Sequence, residues 1–263
     1  MRVLARAMTA MLAGVFSLMS IVTSAPAQDA TGMNVREWES LWTGVLADHV
    51  DDQGHIDFAA LQRSHADLDR VVAFIATVDP VTRPQLFPSR ETRLAYYINA
   101  YNALAMYGVI DAGVPNSLGG LTKFTFFYLR TFTIGGRSVS LYSFENDVIR
   151  PLGEERVHFA LNCMVVSCPK LRRTAFTADR LDHQLENAAH EFVNETRNVR
   201  VNPAERTVWL TAIFQFYTKD FLAHTSSLIE YVNRDRTEPI PQDFKVRFLD
   251  YDWTVNQRPV PGR

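Results

Sequence analysis

Cysteine is scarce in this chain: two residues in 263, too few for a small fold knitted together by disulfides. A basic excess is missing too, since 27 Lys and Arg face 29 Asp and Glu for a net charge of −2, which argues against nucleic acid or anionic lipid as a partner. Glycine and proline stand at 12 each, far below collagenous or linker-like usage. Beyond the first 30 residues no apolar run approaches the roughly 20 residues of a spanning helix. What remains is an ordinary globular composition, 47% hydrophobic and 21% charged.

The first 27 residues, MRVLARAMTAMLAGVFSLMSIVTSAPA, carry only Arg2 and Arg6 as charges, then an apolar stretch from about Ala7 to Val22, then Ala25-Pro26-Ala27. A positive start, a short apolar region and a small-x-small site predict a secretory signal cut after Ala27, and hence a periplasmic or secreted protein. The competing reading is an uncleaved anchor, for which the apolar stretch is short. Cleavage leaves residues 28–263, with 25 basic against 29 acidic side chains, or −4. It also places Cys163 and Cys168 in an oxidising compartment.

The pattern along the rest predicts one α+β domain, with helices packed on a small, mostly antiparallel sheet with hairpins. Helices are expected over about 35–49, 65–78, 91–111, 177–193, 212–223 and 226–233, with a short one capped by Ser140. Strands are expected for Thr131–Ile134 and Arg137–Ser140 around Gly135-Gly136, for 199–201 and 208–210, for 244–249, and for Val157 to Cys163. Residues 116–128 read as a loop with an aromatic run.

Three features could carry chemistry. On the helix from Glu91, a rotation of about 100° per residue puts Glu91 and Asn102 within roughly 20° of one line, amid Leu94, Ile98 and Ala105. Two polar groups on an apolar face either staple a loop, with 116–128 the expected one, or line a site. Strand alternation would place His158 and Asn162 on one face and Cys163 on the other, with Cys168 in a loop free to fold back. The two cysteines then admit three readings: Cys168 as a thiolate nucleophile with a nearby His as base, a Cys163–Cys168 disulfide closing a six-residue loop, or zinc held with His158, for which no fourth ligand is evident. His49, His65, His183, His190 and His224 sit at helical, exposed-looking positions. Arg150, Arg156, Arg172 and Arg173 flank the cysteines and could hold an anion.

Several ordered motifs carry a resemblance. Glu91, Tyr97-Ile98-Asn99-Ala100-Tyr101-Asn102-Ala103-Leu104, Ser140-Leu141 with Phe144-Glu145 and Ile149-Arg150, Arg156 through Cys163, Ser167-Cys168-Pro169, and Tyr251 through Asn256 resemble the domain-of-unknown-function 547 family over about 42–256. The family has no established activity, so the resemblance implies little beyond an α+β domain. It occurs in exported bacterial proteins and in plant proteins, and the same cysteine pair in intracellular relatives would weaken a purely structural disulfide. Where the family commonly has Glu-His, this chain has Glu145-Asn146.

The leading expectation is a polar cleft of Glu91, Asn102, Glu145, His158 and Cys168. Cys168 would be the nucleophile, His158 the base and Asn102 an orienting or oxyanion donor, for amide hydrolysis or acyl transfer. The alternative is a non-catalytic binding or structural module with a Cys163–Cys168 disulfide. Either would take a small-molecule or peptide ligand, with no cofactor, no metal, no nucleic acid and no transmembrane segment after signal removal.

Overall fold

The computed structural model describes residues 32–223 and 225–259. The expected leader and His224 lie outside these residues.

Ser89 caps the central helix, its hydroxyl accepting from Thr92 N–H while Thr92 Oγ1 accepts from Ser89 N–H. This helix, α4 (Arg90–Asp111), is buried on every side from Leu94 through Met106. A helix apolar all round needs cover all round. On one side α1 (Val35–His49), α2 (Phe58–Arg63) and α3 (Ala66–Thr77) supply it, with Trp38 stacked on Phe74 at 5.4 Å between ring centres. On another lie α5 (Leu121–Phe124), widening into a π-turn over Thr125–Leu129, and α6 (Leu141–Ser143), widening likewise over Phe144–Ile149. The 116–128 stretch is therefore partly helical, because Phe126 and Phe127 bury on one side of it.

The first hairpin, β1 (Thr131–Ile134) and β2 (Arg137–Ser140), pairs as the sequence predicts, with Ile134 opposite Arg137. Gly135 and Gly136 take φ of 54° and 80°, the left-handed values a two-residue turn requires. A second hydrophobic cluster gathers α7 (Leu181–Asn194), β3 (Val199–Asn202), β4 (Thr207–Leu210), α8 (Ala212–Phe216), α9 (Thr218–Leu222) and α10 (Leu228–Asn233). Strands β3 and β4 pair antiparallel, and β5 (Lys245–Phe248) joins β4 in parallel. The expected α+β architecture holds, and among the described residues no helix is long and apolar enough to cross a membrane.

Three local expectations are overturned. Val157 to Cys163 is not a strand: Glu155–Phe159 form a 3-10 turn and the chain runs irregularly beyond it. All six residues from Val157 to Asn162 are buried, which a strand with one polar face would not allow but a tight turn inside a core does. The helix expected over about 177–193 does not begin at Thr177. The helix starts four residues later, and Thr177 N–H instead donates to Gln184 Oε1 at 3.0 Å. The expected helix over 212–223 breaks at Tyr217, with φ −115° and ψ 25°.

The hairpin turn makes a prediction. Asp79 is fully buried, accepts Arg137 Nη2 at 2.8 Å, and lies where a side chain on Gly135 would go. Gly135→Ala should lower unfolding free energy by about 2–3 kcal/mol, read by urea titration, because it adds left-handed strain to that clash.

Candidate functional site

Between the two hydrophobic clusters opens a cleft of about 380 Å³. Tyr101, Glu145 and Leu161 line it from the first cluster's side, and Ile213 and Tyr217 from the second's. Cys163, Cys168 and His158 line it together, so the opposite faces expected for His158 and Cys163 disappear with the strand that implied them.

The cysteine wall is built by buried amides. Asn102, 2% exposed, donates from Nδ2 to Ala160 O at 3.0 Å and accepts Asn162 N–H on Oδ1 at 2.8 Å. Asn162 continues inward, donating to Pro169 O at 2.6 Å and accepting Met164 N–H at 2.7 Å. Asn102 thus staples the loop before the cysteines rather than 116–128, and it does not face the cleft. One turn earlier Asn99 bonds both backbone groups of Phe176 in the same manner.

Glu91 does not belong to the site. It is exposed in the first turn of α4, where the helix's own N–H groups and Ser89 hold its carboxyl below the ordinary range. Its direction around the axis matches that of Asn102, but eleven residues separate them by about 16 Å along it.

Cys163 and Cys168 lie at disulfide distance, with Cα atoms 6.2 Å apart. Cys163 N–H points at Cys168 Sγ at 3.0 Å, and the Tyr251 hydroxyl lies 3.4 Å from each sulfur. His158 makes no hydrogen bond to either sulfur among the described residues. Its Nε2 instead meets Asp220 Oδ2 at 2.8 Å, and its ring stacks on Tyr217 at 3.7 Å between centres. Arg150 grips the same carboxylate through Nε at 2.8 Å and Nη2 at 2.7 Å. The His158 hydrogen bond, with Arg150 after it, holds the Asp220 carboxyl well below the usual range. With Nε2 turned to Asp220, Nδ1 has no protein partner among the described residues, in a ring that lines the cleft.

Glu145, 8% exposed, accepts the Tyr101 hydroxyl at 3.2 Å. Burial, with Glu145's charge second, pushes the Tyr101, Tyr217 and Tyr251 hydroxyls upward, so all three stay protonated donors. Asn146, where the family commonly has His, accepts Arg150 Nη1 at 2.5 Å and so helps aim that side chain at Asp220. At the mouth, Lys123 Nζ lies 4.4 Å from the Trp253 ring centre, beside exposed Tyr128, Tyr142 and Phe216.

The other candidates lie elsewhere. Arg156 bonds Glu154 and Asp182, Arg172 bonds Glu191 and Arg173 bonds Asp52, so the arginine group serves internal carboxylates. His183 and His190 are exposed on α7, while His49 and His65 are half-buried. Sequence reasoning missed Asp220, Tyr217, Tyr101 and Tyr251. Tyr101 and Tyr251 had a signal, their places in the family-like motifs, and Asp220 and Tyr217 had none.

The protein is thus an α+β domain with an aromatic cleft walled by a cysteine pair and backed by an Arg150-Asp220-His158 chain. Residues 86–193 match the family model described as "Protein of unknown function, DUF547". The match takes in Glu145, His158 and both cysteines, and ends before Asp220 and Tyr251. No curated protein and no solved structure matches the chain.

Two outcomes are expected. Asn102→Ala strands Asn162 N–H and Ala160 C=O in the core, and should cost about 2–5 kcal/mol in urea unfolding. Asp220 titrates in the unfolded chain near its ordinary 3.8 and lower in the folded one. Its stabilisation is therefore present above that value and lost as pH falls through the depressed one. Between pH 5 and 3 the wild type should lose more unfolding free energy than Asp220→Asn.

Proposed function

We propose that the cleft binds a small molecule or peptide, and that Cys168, once the cysteine pair is open, acts as the nucleophile of a thiol-dependent hydrolase or acyl transferase. The observation that carries this is the convergence on one cleft of a sulfur with two donors aimed at it and an imidazole pinned from behind by a carboxylate. Donors to sulfur favour the thiolate, the form that attacks a carbonyl carbon. Cys168 would give its thiol proton through water to His158 Nδ1 and add Sγ to the carbonyl, and Nδ1 would then return that proton to the departing group. Water would then release the acyl group from sulfur, or a second nucleophile would take it. With Asn102 committed to the backbone, the Cys163 N–H and the Tyr251 hydroxyl are the donors nearest the sulfur.

A second reading is favoured by the pair itself. With the sulfurs at disulfide distance there is no thiolate at rest, and the cleft is then a binding site with a bonded wall. The leader read in the sequence supports an exported protein, where that state would persist.

Reduction separates the two readings. After dithiothreitol treatment and its removal, iodoacetamide at pH 7 should alkylate Cys168 at least tenfold faster than free cysteine, and Cys168→Ala should abolish hydrolysis of peptide thioesters. Alkylation no faster than free cysteine would leave the binding reading.

A further inference from the structure

The cysteine pair closes a loop that does not need it. Between Cys163 and Cys168 the backbone is fastened from both sides: Met164 O accepts Asn256 N–H at 3.0 Å, Val166 N–H donates to Thr254 O at 2.9 Å, and Cys168 N–H returns to Val165 O at 3.0 Å. Asn162 secures the loop's two ends through Met164 and Pro169. These bonds hold the cysteine backbones at their separation whether or not the sulfurs are joined. A six-residue ring is also among the least stabilising a disulfide can close. A structural staple is therefore a poor account of the pair, and its position in the cleft wall gives a better one.

The two sulfurs differ in a way that suits exchange. Cys163 is half-buried and open to the cleft, whereas Cys168 is 3% exposed. Cys168 is also the one that receives the Cys163 N–H, while the Tyr251 hydroxyl stands 3.4 Å from both sulfurs. An attack at Cys163 would push charge onto the sulfur already furnished with donors. Met164, within the loop, holds a left-handed φ of 66° that a side chain rarely adopts, so the turn that presents Cys163 is itself strained.

We propose that the cleft admits a thiol, a low-molecular-weight one or a cysteine-containing peptide, which opens the Cys163–Cys168 bond by exchange. The incoming thiol gives its proton to His158 Nδ1 or to solvent, and its sulfur bonds Cys163 Sγ. The bond between the protein sulfurs breaks, and its electron pair leaves on Cys168 as thiolate. A second thiol attacking the mixed disulfide at its external sulfur completes the exchange, so that two ligand thiols are oxidised to a disulfide and the protein pair is reduced by the same two electrons. This rests on the cleft being the functional site, and it adds what the acyl-transfer reading lacks, a route by which the ligand's own chemistry frees the nucleophile.

The test uses the oxidised full-length protein and reduced glutathione as the probe, with mixed disulfides located by mass mapping under acid quench. Exchange should be at least tenfold faster in the folded protein than in the same chain unfolded in urea, with the first adduct on Cys163. Tyr251→Phe should slow it severalfold with an unchanged circular dichroism spectrum. In the single-cysteine variants, Cys168→Ala should take a stable adduct from oxidised glutathione at Cys163 faster than Cys163→Ala takes one at Cys168. Slower exchange in the folded state, a first adduct on Cys168, or a pair isolated as thiols that diamide does not join would each overturn the proposal. Acyl transfer is measured on reduced protein and exchange on oxidised protein, so failure of one is distinguishable from failure of the other.

Discussion

The buried amide of Asn102 is the contact on which the site depends. A helix as thoroughly enclosed as α4 has nowhere to send a polar side chain except to the backbone of whatever covers it, and an unmet amide there would cost a few kcal/mol. Asn102 meets Ala160 and Asn162, and Asn162 meets Met164 and Pro169. Through this relay the enclosed central helix sets the irregular loop that carries both cysteines. The loop is held besides by the closing segment at Thr254 and Asn256, so hydrogen bonds on both sides set its shape apart from its sulfurs.

The opposite wall depends on a failure of helix. Had residues 212–222 continued as one rod, Tyr217 and Asp220 would be placed by helical rotation alone. The break at Tyr217 lets its ring stack on His158 while Asp220, three residues on, reaches His158 and Arg150 together. The hydrogen bond of Asp220 to His158, with Arg150 braced by Asn146 after it, keeps that carboxylate charged, so His158 has a fixed anionic partner at Nε2 and no protein partner at Nδ1 among the described residues. A carboxylate shared between a guanidinium and an imidazole fixes the orientation of both.

Legibility followed the range of the forces involved. Ser89 before a long apolar helix and Gly135-Gly136 between two β-rich tetrapeptides announce themselves within a few residues, and both elements formed as read. Glu91 misled because periodicity reports direction around an axis and not distance along it. Val157 to Cys163 misled because its β-rich composition suits a strand, yet among the described residues no partner strand lies beside it and the Asn102 side chain, about 60 residues away, claims its backbone. His158, Cys168 and Glu145 were found as chemistry-bearing types within ordered motifs, and the pairing of Cys168 with Cys163 was among the readings, while Asp220, Tyr101 and Tyr251 were not found as partners.

By itself the sequence determined an α+β domain, its central helix, its hairpins, and the short stretch in which any reactive sulfur had to lie, because these rest on local propensity and apolar periodicity. Tertiary structure alone decided that Asp220 stands behind His158, that Tyr251 touches both sulfurs, and that Glu91 stands apart. Each of these is a meeting of side chains 60 or more residues apart in sequence, or, for Glu91, a failure to meet across three turns of helix. Such meetings depend on where the two hydrophobic clusters come together, and no spacing along the chain encodes that.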